Sequence, residues 1–291
     1  ALCIGGTAFA ANAQSWFPLL FPNGGDANLE GYVQTSDNAK LTDENEHYRL
    51  SVESVLFDES AGTGVISLHL ENKKQDGVKP FTLAHLIDSY RNKPDITWST
   101  LSSCYAEEGQ LAFEVMYGDS GFCGSEFYLD TARSTDNDYY FEGAFAISSD
   151  YRQGEPLRLE ALDPGGTTVR ADGAGTAKTV LAVDLPEFQQ MPYLTSENGD
   201  VTLSQIGIRI RNADMHCTVD EVDTLSVQLR DGSEYVILDE NADIDRTLYT
   251  YGFNSTEDTD RIDTEIAVLA RAFDLDNVQS VTINGEVYPL S

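Results

Sequence analysis

Apolar residues recur along this chain at every second position in short runs, and that period of two predicts β-strands almost throughout. The last ninety residues show it most clearly. In VTLSQIGIRIR (Val201 to Arg211), TLSVQLR (Thr224 to Arg230) and EYVILDE (Glu234 to Glu240), β-branched and large apolar side chains alternate with polar ones. Asp231-Gly232 joins the last two runs as a tight turn, and Asn284-Gly285 splits the closing SVTINGEVYPL. Asn-Gly suits a two-residue type I′ hairpin, because both central residues take positive φ. The pattern predicts an antiparallel meander closed by a hairpin. Leu225, Val227 and Leu229 are expected across from Tyr235 and Ile237, with Val281 and Ile283 opposite Val287 or its neighbours.

Upstream, YRLSVESVLFDES (Tyr48 to Ser60) changes phase near Glu53-Ser54, the signature of a β-bulge, which moves the following side chains to the opposite face. GTGVISLHLENKK (Gly62 to Lys74) supplies its partner and turns His69 away from the core. Further strands are expected at Gln110 to Gly118, Ser125 to Thr131, Tyr139 to Ser148, Leu157 to Leu162 and Ala177 to Leu185. Phe81 to Tyr90 suits a strand or a short helix, and the alternation in Glu265 to Phe273 favours a strand. No long helical stripe lies between these runs, which argues against βαβ units. The expected fold is all-β, two antiparallel β-sandwich (immunoglobulin-like) domains in tandem. The aperiodic stretch from Pro186 to Asp200, with two prolines, marks the boundary. It divides the chain into a lead-in (1–25), an N-terminal sandwich (26–185), a linker (186–198) and a C-terminal sandwich (199–291), with few contacts expected across the linker.

Charge narrows the partners. With 49 acidic against 18 basic residues the formal net charge is −31, a field that repels nucleic acid and disfavours anionic lipid surfaces. Acidity of this order also accompanies disorder, but 14 tyrosines, 13 phenylalanines and 41% apolar residues supply a core that disordered chains lack. ALCIGGTAFAANAQ at the start carries the small-x-small steps of an export signal behind an apolar run. It reads as such a signal, as the outer end of a membrane-spanning helix, or as a buried N-terminal strand or helix. The first two readings place the remainder outside the cell, with membrane contact only through an N-terminal anchor.

Candidate chemistry is sparse. Gly118-Asp119-Ser120-Gly121 resembles a serine-protease nucleophile segment, but only 35 residues separate His85 from Ser120, too few for half of a double-barrel protease. Cys104 and Cys123 flank one expected strand and are expected to pair in an exported chain, closing a loop worth about 3 kcal/mol. His216-Cys217 lacks companions at zinc-ligand spacing. Asp239, Asn241, Asp243 and Asp245 place oxygen ligands at alternate positions as a calcium loop begins. Ile244 and Thr250, however, occupy the positions an EF-hand gives to glycine and to a bidentate glutamate. Calcium at a looser site is therefore the one cofactor considered. No phosphate loop, HExxH or dinucleotide fingerprint is present.

The segments VTLSQIGIRI, LRDGSEYVILDE and AFDLDNVQSVTINGEVYPL resemble the extracytoplasmic region of a Gram-positive, mainly clostridial, membrane-tethered family of unknown function described as anti-sigma-factor-like. Ser204, Ile206 and Gly207 match a turn of that family, with Gln205 in place of its proline. Asp231 to Glu234 resembles its strand-joining turn, and Asp274, Asp276, Val278, Ile283, Asn284 and Gly285 its ending. The resemblance implies a β-sandwich ectodomain below a single span, without implying catalysis. The function expected is a non-enzymatic binding or sensing ectodomain for an extracellular ligand or protein, linked to sigma-factor regulation. A secreted hydrolase acting on glycans or peptides and a structural surface spacer are the alternatives.

Overall fold

The computed structural model describes residues 16–21, 27–36, 41–77, 86–87, 98–101, 111–118, 121–147, 151–163, 178–212, 222–258 and 261–291. The first half contains β1 (Gln34–Thr35), β2 (Thr42–Glu44), β3 (Tyr48–Asp58), β4 (Thr63–Asn72), β5 (Leu86–Ile87) and β6 (Trp98–Leu101). These are followed by β7 (Ala112–Tyr117), β8 (Gly121–Phe122), β9 (Gly124–Leu129), β10 (Asp138–Ala146), β11 (Leu157–Asp163) and β12 (Lys178–Asp184). One sheet runs β1-β3-β4-β10-β9-β6-β5, with β2 also on β3, and a second runs β12-β11-β7-β8. Val52, Leu68 and Phe141 of the first sheet meet Phe113, Leu159 and Val183 of the second in one buried core. Every pairing among the described strands is antiparallel.

The second half contains β13 (Tyr193–Thr195), β14 (Val201–Ser204), β15 (Gly207–Asn212), β16 (Thr224–Leu229) and β17 (Glu234–Asp239). After them come β18 (Ile244–Asp245), β19 (Tyr249–Asp258), β20 (Arg261–Leu269), β21 (Val278–Ile283) and β22 (Glu286–Pro289). They form sheets ordered β13-β14-β15-β20-β19 and β18-β17-β16-β21-β22, closed over Ile208, Ile210, Val227, Ile237, Val268 and Val281. Glu265 to Leu269 is strand, as its alternation predicts, and within Phe81 to Tyr90 the described pair Leu86–Ile87 is strand.

Local details follow the pattern closely. The register of β3 against β4 passes from Val52↔Leu68 to Ser54↔Ser67, so Glu53 is the bulged residue. Leu50 and Val52 face the first core before it, and Val55 and Phe57 after it. Asn284 and Gly285 have φ of 48° and +83°, the two positive angles of a type I′ turn. At the other hairpin only Gly232 has positive φ (+87°); its N–H bonds Leu229 O at 3.0 Å, and Leu229 N bonds Ser233 O at 2.8 Å. That is a three-residue loop rather than a two-residue turn.

The expected cross-strand neighbours are met in both hairpins except that Leu225 faces Leu238 rather than Ile237. In the last hairpin Val281 pairs with Tyr288 and Thr282 with Val287, so Tyr288 packs inward while Val287 is 59% exposed. The register set by Asn284-Gly285 dictates this, because neighbouring side chains alternate between faces. Across β16 and β17 a bulge places Leu225 against Leu238 and Val227 against Tyr235. The expected linker, 186–198, contains structure: Tyr193–Thr195 is an edge strand of the second sandwich, and Ser196 bridges to Leu290.

The largest departure concerns the boundary itself. Leu56, Val65, Ala144 and Ala146, on the outer face of the first sandwich, share a buried cluster with Ile206, Ala267, Leu269 and Ala272 of the second. Phe17, Leu20 and Phe21 of the lead-in and Met191 of the supposed linker complete that cluster. Few contacts are expected across the proline-containing stretch from Pro186 to Asp200. The apolar side chains on the outer faces of two sheets need cover, however, and each sheet covers the other.

Candidate functional site

The tip of the β3-β4 hairpin, Glu59 to Gly62, is driven into the junction. Asp58 shapes it: Oδ1 accepts from Ser60 N at 2.8 Å and Ala61 N at 3.4 Å, and Ser204 of the second sandwich lies beside the same carboxyl. Asp58 is fully buried, and burial pushes its carboxyl up from the ordinary range, against those hydrogen bonds. Ser204 also accepts from Ile206 N and Gly207 N, at 3.2 and 3.0 Å. The Ser204 to Gly207 turn, noted above only as a family-like motif, is thus the docking surface for the hairpin.

Beside this contact opens a cleft. Its polar half, about 350 Å³, is lined by Glu59, Tyr151, Gln153, Gln190, Arg209 and Arg211, with Tyr193 and Thr202 at the edge. Its more apolar half, about 460 Å³, shares Glu59, Tyr151 and Gln190 and adds Phe57, Pro156 and Phe188 together with the carboxylates of Glu155 and Glu187. Both volumes fall in the range of small-ligand sites. Arg209 and Arg211 stand two apart on β15, hence on one face, and Thr202 lies opposite Arg209 across the β14-β15 pair. Glu59 holds the 151–154 turn: Oε1 accepts from the Tyr151 hydroxyl at 3.0 Å and Gly154 N at 2.7 Å, and Oε2 from Gln153 Nε2 at 3.1 Å. Burial, reinforced by Glu59, raises the Tyr151 phenol well above its usual value, so it stays a neutral donor. Phe57 forms edge-to-face contacts with Tyr151 and Phe188, at 6.1 and 5.5 Å between centroids.

Among the described residues, none of those singled out from sequence lines this cleft. Asp239 Oδ1 caps the turn after β17 by accepting from Asn241 N and Ala242 N, while Asp245 Oδ1 accepts from Thr247 N and its hydroxyl at 3.0 and 2.6 Å. Asp243 has φ 54° at the end of that turn. The alternating run thus serves hairpin geometry, and among the described residues no three His, Cys, Asp or Glu side chains are grouped to hold a metal. Cys123 is buried between β8 and β9, while Cys104 lies outside the described residues, as do His85, Asp119, Ser120, His216 and Cys217. His69 faces outward, stacked 4.4 Å from Tyr140 and 3.0 Å from Asp138. Glu59, Arg209 and Arg211 went unnoticed because each reads as an ordinary polar position of an alternating strand or turn; only the docking of two sheets brings them together.

A second buried carboxylate marks the junction. Glu142 on β10 is 1% exposed; Oε2 accepts from Leu19 N and Leu20 N, both at 2.9 Å, and Oε1 has no hydrogen-bond partner. Burial pushes its pKa up to about 7, although the two N–H groups pull the other way. It ties the lead-in to the sheet.

Fold and site together define an all-β protein of two face-packed antiparallel sandwiches with a cleft at their junction. No protein-family model matches the chain, and no curated protein matches it. Among solved structures it is similar to one described as the conserved domain protein from Bacillus anthracis. That likeness is at 12% identity and TM-score 0.42, covering 88% of this chain and 78% of that one, and no functional argument is drawn from it.

Proposed function

We propose that this chain is a non-enzymatic extracytoplasmic module that binds or senses a ligand in the cleft where the two sandwiches meet. The observation that carries the proposal is the lining. Two arginines, side-chain amides, tyrosines, an aromatic wall and the carboxylates of Glu59, Glu155 and Glu187 line one concavity, a mixed polar and apolar surface suited to holding a ligand. Glu59, the carboxylate common to both halves, already accepts three hydrogen bonds that fix the cleft wall, a structural use of the group. The apolar, small-x-small start supports placement outside the cell, tethered or secreted, and the resemblance of the last ninety residues supports a link to sigma-factor regulation.

Thermal shift of the protein against a panel of peptides and oligosaccharides tests this reading, beside a Thr202→Trp variant that fills the polar half. A ligand that raises the melting temperature of the wild type, but not of a folded Thr202→Trp variant, is the expected result. Equal shifts in both proteins place binding elsewhere, and release of a hydrolysis product would replace this reading with the enzyme.

A further inference from the structure

We infer that Trp16 to Phe21 forms a strap over the sandwich junction whose seating is governed by the proton on Glu142, closed in acid and released as pH rises. This device is independent of any ligand in the cleft. Phe17, Leu20 and Phe21 are buried in one cluster with Leu56 and Ala144 of the first sandwich and Ile206 and Leu269 of the second. Within that apolar seat Leu19 N and Leu20 N both end on Glu142 Oε2, at 2.9 Å, and the strap sequence WFPLLF carries no lysine or arginine to neutralise the carboxylate. A carboxylate taken out of water without a cation is costly in its charged form. The strap therefore closes most readily over the neutral acid.

None of the described neighbours supplies a cation in contact with Glu142. On β4 its cross-strand partner is Ser67, whose hydroxyl donates to Glu53 Oε2 at 3.2 Å, and on β9 it is Tyr128, whose hydroxyl donates to Glu126. The turn after β9 brings Asp130, which opposes the charge, and Arg133, which favours it from a distance. Arg133 Nη2 is held by both carboxylate oxygens of Glu53 on β3, at 3.1 and 2.9 Å, and its guanidinium lies 4.1 Å from the Tyr140 ring centroid. From the second sandwich the shared cluster offers Ile206, Ala267, Leu269 and Ala272, all apolar. Glu142 Oε1 is left buried with no hydrogen-bond partner among the described residues, and this is the oxygen that carries the proton.

In the closed strap burial raises the carboxyl to about 7, whereas once open to water it returns to the ordinary 4.5. Between those values each unit of pH raises the ratio of open to closed strap about tenfold, and above 7 the effect levels off. Opening uncovers an apolar seat built by both sandwiches. The junction is thus sealed in acid and becomes accessible toward neutrality and above.

The test is hydrogen exchange of the full chain at pH 5 and pH 8, read by mass spectrometry on the peptide that contains 16–21 and corrected for the intrinsic pH dependence of exchange. Protection of that peptide is expected to fall on the order of fifty-fold from the lower pH to the higher. Urea below the unfolding transition should leave it unchanged, because a local opening exposes little surface, while peptides from β15 and β16 start better protected and lose protection in the same urea. In Glu142→Gln, which keeps an acceptor for the two amides and cannot ionise, protection of 16–21 should be the same at both pH values. Phe21→Ala should lower it at both by a similar factor and leave their ratio intact. Circular dichroism confirms that each protein is folded at each pH. A ratio that is flat in the wild type, or that survives in Glu142→Gln, overturns the inference. So does protection of 16–21 that equals that of β15 and β16 and follows urea as theirs does, because the strap would then leave only when the whole protein unfolds. Should Glu142→Gln not fold, the wild-type ratio and its response to urea decide between the same outcomes.

Discussion

Gly207 of the second sandwich lies so close to Thr63 of the first that a β-carbon on Gly207 would sit 2.3 Å from Thr63 Oγ1 and 3.1 Å from Ala61 Cβ. All three residues lie in the contact between hairpin tip and docking turn. Gly207→Ala must push the sandwiches apart or distort the tip, and overpacking of this kind costs about 1 to 3 kcal/mol. Thr63 Oγ1 is buried with no hydrogen-bond partner, so Thr63→Ala removes the closest obstacle at little cost. Urea unfolding of the single and double variants should show a smaller Gly207→Ala penalty in the Thr63→Ala background. Additive penalties would mean that the contact does not set the spacing.

At the last hairpin the strain is confined to the backbone. Gly285 has φ +83°, and a β-carbon there would meet nothing within 4 Å. Gly285→Val is therefore expected to cost about 1 to 3 kcal/mol from the disfavoured left-handed conformation alone, without the loosened packing that a crowded turn would add. The first sandwich should feel the change, because the two halves share the cluster that includes Leu56, Ala144, Ile206 and Leu269. Limited proteolysis along the thermal melt should release no stable fragment of 26–185; recovery of one would show that the shared cluster does not couple the halves.

The pH dependence of stability should carry the mark of Glu142. Its folded pKa, about 7, lies above the ordinary 4.5, so between those values the folded state holds a proton that the unfolded state has released. That contribution is fully present below about pH 4.5 and is lost as pH rises through 7, with a size on the order of 3 kcal/mol. Asp130 and Arg133 act on the same group in opposite senses, and the buried Asp58, also raised, adds a term of the same sign as Glu142. Unfolding at pH 5 and pH 8 should show a fall that Glu142→Gln reduces and Asp58→Asn reduces further. An unchanged fall in Glu142→Gln would show that this carboxyl does not titrate in the window.

Oxidation of Cys104 with Cys123 remains an expectation of the exported reading. Peptide mapping of protein digested without reductant should recover the two cysteines in one cross-linked fragment. Alkylation of both thiols before reduction would refute the bond.

The alternation of apolar residues determined the strands, the bulge at Glu53 and the turn at Asn284-Gly285, because period, phase and turn chemistry act within a few residues of chain. Even the junction left a local trace: Val55-Leu56-Phe57, Val65-Ile66 and Gly143-Ala144-Phe145-Ala146 are continuous rather than alternating, as a sheet covered on both faces requires, and in the fold these stretches are buried on both sides. What covers the second face was not written there. Leu56 joins one cluster with Ile206, Glu142 meets Leu19 and Leu20, and Arg209 lines one cleft with Glu59 and Tyr151, across separations that no periodicity encodes. Sheet docking decided those meetings, because burying two outer apolar faces against each other fixes which polar residues are left at the rim, and in this protein the rim is the cleft.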